Sequence, residues 1–211
     1  MHDDTLLTIP DLRAGDIAAC YGVGTQARVI QTMTASLFPP WRLCFPPSHV
    51  AIIADYEKAE TGRAWFESTT MTTHTCIVRH ANVDGAQAHE IKTRVDDYRS
   101  LGGHVDVYRP VIWRTLTNGQ PARLTRRLLE IIDAEVKYDV AGALWASRVA
   151  RLLGWFRIPD VDKEYCNELV GFALQDLGLM NNANPQAFNP GSLLRRLVRS
   201  GVYTHAGTLV G

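Results

Sequence analysis

The chain has no surplus of charge. Its 211 residues carry 22 basic and 22 acidic side chains, so the field of the whole molecule gives no general attraction to nucleic acid or to an anionic membrane. No nucleic-acid partner is expected, although this balance leaves room for local patches. Long apolar runs are missing as well: no window approaches the length that spans a bilayer, so no transmembrane segment is expected. The opening residues, Met1-His2-Asp3-Asp4-Thr5, are acidic and polar, whereas an export signal starts basic and turns apolar. A cytoplasmic or phage-associated location is therefore expected. Cysteine is scarce too. Cys20, Cys44, Cys76 and Cys166 form no CxxC pair and no finger spacing, which argues against a zinc module, and without an export signal disulfides are the weaker expectation. No metal or organic cofactor is indicated, and there is no internal repeat or low-complexity tract.

What remains is an ordinary globular composition, 46% apolar and 21% charged, in a length that suits one domain over residues 1–211. Asp16-Ile17-Ala18-Ala19-Cys20 follows Gly15 as a short apolar run and reads as a strand ending at the turn residues Tyr21 to Gly24. From Thr25 to about Ser36 no breaker intervenes, and Ala27, Ile30, Met33 and Leu37 fall near helical spacing. The four prolines between Phe38 and Pro47 forbid regular structure, and the aromatics among them predict a folded-down loop leading into His49.

His49 to Ala54 has the β-branched content of a buried strand, with Ala64 to Thr69 as its hairpin partner. Further strands are expected at Cys76 to Val78, Ala86 to Lys92 and His104 to Tyr108. After Pro121 the period changes: Leu124, Leu128, Ile131 and Ile132 fall on one helical face, Val140 to Leu153 forms another helical stretch, and Tyr165 to Leu177 a third, closed by Gly178. Strands first and helices afterwards predict an α+β fold, an antiparallel sheet packed against helices. The basic runs Arg123 to Arg127 and Arg195, Arg196, Arg199 read as solvated helix faces.

One cysteine stands apart. Cys166 begins a helix after Pro159-Asp160-Val161-Asp162, where unpaired backbone N–H groups and the positive end of the dipole stabilise a thiolate and can hold an oxyanion. Its alternative use is as a small buried hydrophobe, which suits Cys20 and Cys76 better. A thiol nucleophile needs a base, and His49, at the opening of a rigid strand, is the best-placed histidine. His80 and His89 lie in polar, loop-like surroundings, while His74 and His104 stay open. Glu67 on the partner strand is the candidate to orient the imidazole, provided the hairpin register sets both on one face; alone, it is equally an exposed strand residue.

Taken together, Gly15-Asp16-Ile17, Ser48-His49-Val50-Ala51-Ile52-Ile53, Phe66-Glu67-Ser68, Tyr138-Asp139, Tyr165-Cys166-Asn167-Glu168-Leu169-Val170 and Asn189-Pro190-Gly191-Ser192-Leu193 resemble, in type and order, the circularly permuted branch of the NlpC-type papain-like superfamily. The likeness covers about residues 11–198. It is nearest the bacterial YiiX-like proteins and more distantly the lecithin:retinol acyltransferase group. The resemblance implies a permuted papain-like fold, Cys166 as nucleophile, His49 as base and Glu67 as the polar third residue. It also implies thiol-dependent cleavage or transfer at an amide or ester, with cell-wall peptide the substrate class most often associated with the superfamily and amide hydrolysis the expected activity. Two other uses of the scaffold stay open: acyl transfer to or from a lipid, with the apolar stretch Ala141 to Phe156 lining an acyl site, and a binding or virion protein without turnover.

Overall fold

Residues 5–36, 40–70, 72–111, 116–117, 119–134, 137–138, 163–164, 166–181, 184–185 and 188–210 are described by the structure, a computed structural model. Seven strands form one sheet. In chain order they are β1 (Leu6–Leu7), β2 (Ile17–Tyr21), β3 (His49–Asp55), β4 (Arg63–Thr69), β5 (Gly85–His89), β6 (His104–Pro110) and, near the end of the chain, Tyr203–Leu209. The short β7 (Lys137–Tyr138) and β8 (Lys163–Glu164) pair in parallel as a separate ladder, so the last strand of the main sheet is β9. The sheet order is β1-β9-β6-β2-β3-β4-β5, with β1 parallel to β9 and every other pair antiparallel.

Period-two alternation gives this sheet two apolar faces. There are five described helices, α1 (Thr25–Thr34), α2 (Ile91–Ser100), α3 (Gln120–Asp133), α4 (Cys166–Asp176) and α5 (Pro190–Arg199); α2 to α5 pack on the sheet, and α1 lies against α5. Ile17, Ala19, Val50, Ile52, Ala64 and Phe66 form one face, under α3, α4 and α5, which contribute the Leu124–Leu128–Ile131 stripe, Leu169, Val170 and Leu174, and Leu193 and Leu197. Ala18, Cys20, Ala51, Ile53, Trp65, Val105 and Val107 form the other, under Ile91 and Val95 of α2. Each buried Leu or Ile contributes about 1.5–3 kcal/mol, so helical and strand periods are locked to the same core.

Local chemistry fixes the ends of these elements. Asn189 caps α5: its side chain accepts from Ser192 N at 2.8 Å while Ser192 Oγ accepts from Asn189 N at 2.8 Å, and Pro190 takes the first helical position. The buried Asp16 carboxylate receives two bonds from Arg109, Nε to Oδ1 at 2.9 Å and Nη2 to Oδ2 at 2.7 Å, tying β2 to β6. Gly103 lets β6 begin hard against β2, since a Cβ there would lie 2.4 Å from the Tyr21 carbonyl oxygen.

Several sequence expectations change here. Ala86 to Lys92 is not one strand: β5 stops at His89, and Ile91 starts α2, which the sequence reading passed over because polar residues separate its apolar ones. Cys76 to Val78 is a turn with only an isolated bridge from Cys76 to Ala81. The proline-rich segment contains a 3-10 turn at Trp41–Leu43, and only part of it is folded down: Leu43, Pro46 and Pro47 are buried, whereas Trp41 and Phe45 project into solvent. Arg195 is not on a solvated face but buried, donating from Nη1 to the Leu43 carbonyl at 2.9 Å. The sheet takes in Leu6–Leu7 and Tyr203–Leu209, beyond the stretch 11–198. The expected helix at Val140 to Leu153 and the capping residues Pro159 to Asp162 lie outside the described residues.

Candidate active site

The β3–β4 register decides whether the expected base and its orienting carboxylate meet. Ile53 faces Trp65 and Ile52 faces Phe66, so 49, 51 and 53 share a face with 65 and 67, and His49 and Glu67 are diagonal neighbours. His49 Nε2 lies 2.7 Å from Glu67 Oε2. Glu67 is not an exposed strand residue: it is fully buried, and His49 is mostly so.

A buried carboxylate must have its oxygens matched. Trp65 Nε1 donates to Glu67 Oε2 at 3.0 Å, Arg94 Nη2 donates to the same oxygen at 3.3 Å, and Arg94 Nε stands 2.7 Å from Oε1. Burial alone would push the Glu67 carboxyl up; Arg94 and the hydrogen bond from His49 outweigh it and hold the group well below the usual carboxylate range. The Arg94 side chain is buried, lies over the Tyr98 ring at 5.6 Å, and continues through Nη1 to Asp97, whose carboxylate meets His74 Nε2 at 2.9 Å. His49, Glu67, Arg94, Asp97 and His74 thus form one connected chain of polar contacts from the sheet to the loop after β4.

The remaining histidines separate clearly. His104 is exposed and stacks on Tyr21, with ring centroids 4.5 Å apart. His89, expected in loop-like surroundings, is buried on β5, bonded to Gln87 Oε1 at 2.9 Å and 3.7 Å from Glu67 Oε1. Its burial lowers its pKa from 6.5. Because the unfolded chain then binds the extra proton, His89 contributes stability that is complete above pH 6.5 and lost as pH falls below it. Glu67, whose pKa is depressed from 4.5, adds a second loss below that value. His89→Gln is therefore expected to flatten the first decline and leave the second, read from urea midpoints on either side of pH 6.5.

Cys166 is the first residue of α4, as expected; its side chain lies outside the described residues. The helix start is pinned by the next residue, for buried Asn167 donates from Nδ2 to the Phe188 carbonyl at 2.9 Å. Helix α4 packs on the face of Val50 and Ile52, opposite to the face of Glu67. His49 is the first residue of β3, at the end of the sheet. Of the other cysteines, Cys20, cross-strand partner of His49, and Cys76 are fully buried, and Cys44 is half-buried.

Sequence reasoning missed Arg94, Trp65 and Asp97. A signal for Arg94 exists: Ile91, Val95 and Tyr98 mark the inner side of α2 at i, i+4 and i+7, and Arg94 falls on that side at i+3.

These features define a YiiX-like α+β fold, a mostly antiparallel seven-stranded sheet between helices. The chain is similar to the crystal structure of the metalloprotein YiiX from Escherichia coli, with a TM-score of 0.50 and 16% identity, over 94% of this chain and 88% of that one. No family model matches the chain, and no curated protein matches it. At that identity the likeness is one of fold. No group of three His, Cys, Asp or Glu side chains is arranged to hold a metal ion among the described residues, and the carboxylate between His49 and His89 is occupied by a guanidinium.

Proposed function

We propose that the chain is a thiol-dependent hydrolase of amide bonds on a permuted papain-like scaffold, with Cys166 as nucleophile, His49 as base and Glu67 as the group that orients His49. The substrate class is a peptide of the cell-wall type. The observation that carries the reading is the buried His49–Glu67 pair, 2.7 Å between Nε2 and Oε2, at the end of a sheet whose packing helix starts with a cysteine.

The protonation states follow from that pair. An ionised Glu67 can only accept, so Nε2 carries the ring proton and Nδ1 is the nitrogen that takes a proton from the thiol. In the first step the Cys166 S–H proton passes to His49 Nδ1 and sulfur attacks the carbonyl carbon. Backbone N–H groups at the start of α4 receive the oxyanion. As the tetrahedral species collapses, the C–N bond breaks, the imidazolium gives its proton to the departing amine, and a thioester remains. Water, deprotonated by the same nitrogen, then releases the acid and the thiol.

The test is site-resolved alkylation. In the wild type, Cys166 is expected to be carbamidomethylated by iodoacetamide near neutral pH much faster than a free thiol, and His49→Ala should remove that advantage by about tenfold or more. Equal, slow rates in both proteins would falsify the reading and favour a binding protein on the same scaffold. Fast labelling of Cys44 in place of Cys166 would move the nucleophile.

A further inference from the structure

The acidic residues are unevenly placed. Although positive and negative side chains balance over the chain, none of the 22 acids falls within residues 21–48, 68–83 or 98–105. These segments leave or enter the sheet at one end, where β2 finishes at Tyr21, β3 starts at His49, β4 finishes at Thr69 and β6 starts at His104.

The same end carries most of the exposed large apolar side chains among the described residues. Trp41 and Phe45 are 68% and 75% exposed, Leu101 is 68% exposed, and Val23 and Val29 are more than two-fifths exposed; the remaining one, Leu6, is on the edge strand β1. The pieces adjoin one another. A Cβ on Gly102 would lie 3.8 Å from Val23 Cγ2, which joins the turn before β6 to the turn after β2. Ser36 N donates to the Cys44 carbonyl at 3.0 Å, joining the end of α1 to the loop of Trp41 and Phe45.

That loop is held, not loose. Leu43 is buried beneath it, Arg195 grips its carbonyl, and Gly191 of α5 admits Pro46 so closely that a Cβ there would sit 2.2 Å from the proline ring. Two aromatic rings are therefore presented to solvent on a fixed backbone, at a cost in apolar exposure that packing has not removed. Exposed arginines stand in the same acid-free segments: Arg28 next to Val29, Arg99 two residues before Leu101, and Arg42 between Trp41 and Phe45 in sequence, 3.8 Å from Asp106.

We infer that this end of the molecule docks on the surface of a bilayer containing anionic lipid, with Trp41, Phe45 and Leu101 entering the interfacial layer and Arg28 and Arg99 meeting lipid phosphates. Indole and phenyl rings with flanking guanidinium groups suit that layer, where apolar burial and attraction to anionic headgroups add. The rings stand exposed on a turn whose backbone is held from beneath. A fluid surface closes round such rings, whereas a folded partner would need a matching hollow. The absence of acid over three segments removes the repulsion that an anionic surface would otherwise impose. Docking here turns the sheet end that bears His49 toward the membrane, but it does not depend on the chemistry of Cys166 and His49.

The experiment is co-sedimentation of the full chain with sucrose-loaded vesicles of phosphatidylcholine, with and without a third of phosphatidylglycerol. Binding is expected to the anionic vesicles only, and to weaken with added salt. Trp41→Ala/Phe45→Ala and, separately, Arg28→Glu/Arg99→Glu should each lower the partition coefficient by about tenfold or more, with circular dichroism melts unchanged because all four side chains are exposed. His49→Ala should bind as the wild type does, so loss of the hydrolase reading leaves this one standing. A wild type that stays in the supernatant with anionic vesicles overturns the proposal, as does an aromatic double variant that binds equally well. Retention on polyglutamate that the arginine variant loses, without vesicle binding, would reassign the surface to an acidic peptide.

Discussion

Arg94→Met is expected to destabilise the protein by about 3–5 kcal/mol, the usual consequence of leaving a buried charge without its partner. Methionine fills much of the space of the arginine stem, so the loss reports charge more than volume. Glu67 would keep Trp65 Nε1 and His49 Nε2, but the guanidinium that opposes its desolvation would be gone, and its pKa would rise. The double variant Arg94→Met/Glu67→Gln removes the stranded charge and should recover most of that loss in urea unfolding. If the double variant is no more stable than the single one, the guanidinium supports α2 and not the carboxylate.

The same substitution has a second readout. Once Glu67 takes up a proton it becomes a donor to Nε2, and a neutral imidazole must then carry its own proton on Nδ1. That is the wrong tautomer for a base acting through Nδ1. Turnover by Arg94→Met is therefore expected to fall by roughly two to four orders of magnitude near neutral pH and to recover as pH rises through the new Glu67 value. A residue that only props up the fold would lower activity evenly across pH. Arg94 is a positioning residue in this account, acting on the imidazole through Glu67.

Cys166→Ala should reduce turnover by about a thousandfold or more and leave the melting temperature near that of the wild type, because one sulfur at the first position of α4 contributes little to the helix that Asn167 anchors. Cys20→Ala provides the contrast. Cys20 is fully buried beside the β3 pairing, so its loss should be felt as a small drop in stability with activity retained. Turnover that survives Cys166→Ala would remove the thiol from the mechanism.

Much of this arrangement was legible from residue types alone. The apolar run after His49 and the aromatic run before Glu67 announced a hairpin, but period two leaves the shared face open until the register is known, and the pairing of Ile53 with Trp65 is what sets both residues on one face. Leu124, Leu128, Ile131 and Ile132 gave α3 its buried side at the positions expected. Helix α2 was harder to read because its apolar side contains an arginine, and a charged residue at an inner position disguises the period. Only the tertiary partner, a carboxylate twenty-seven positions earlier in the chain, makes arginine suitable there. Arg195 hid itself in the same way, its partner being a main-chain carbonyl far away in sequence. The exposure of Trp41 and Phe45 ran against expectation because the usual preference of aromatics for the interior concerns a side chain's transfer from water; it says nothing of a loop whose backbone is fixed by Leu43 and Pro46.

The sheet has one further consequence, for the order in which the protein can be assembled. Strand β9 lies between β1 and β6, yet it is made last, so during synthesis both neighbours wait beside a gap. Until residues 203–209 leave the ribosome, β6 has an open hydrogen-bonding edge and β1 has no sheet to join. A chain that stalls before Tyr203 would present that edge to its neighbours in the polysome. Supplying the last strand as a separate peptide in trans should close the gap and suppress their association.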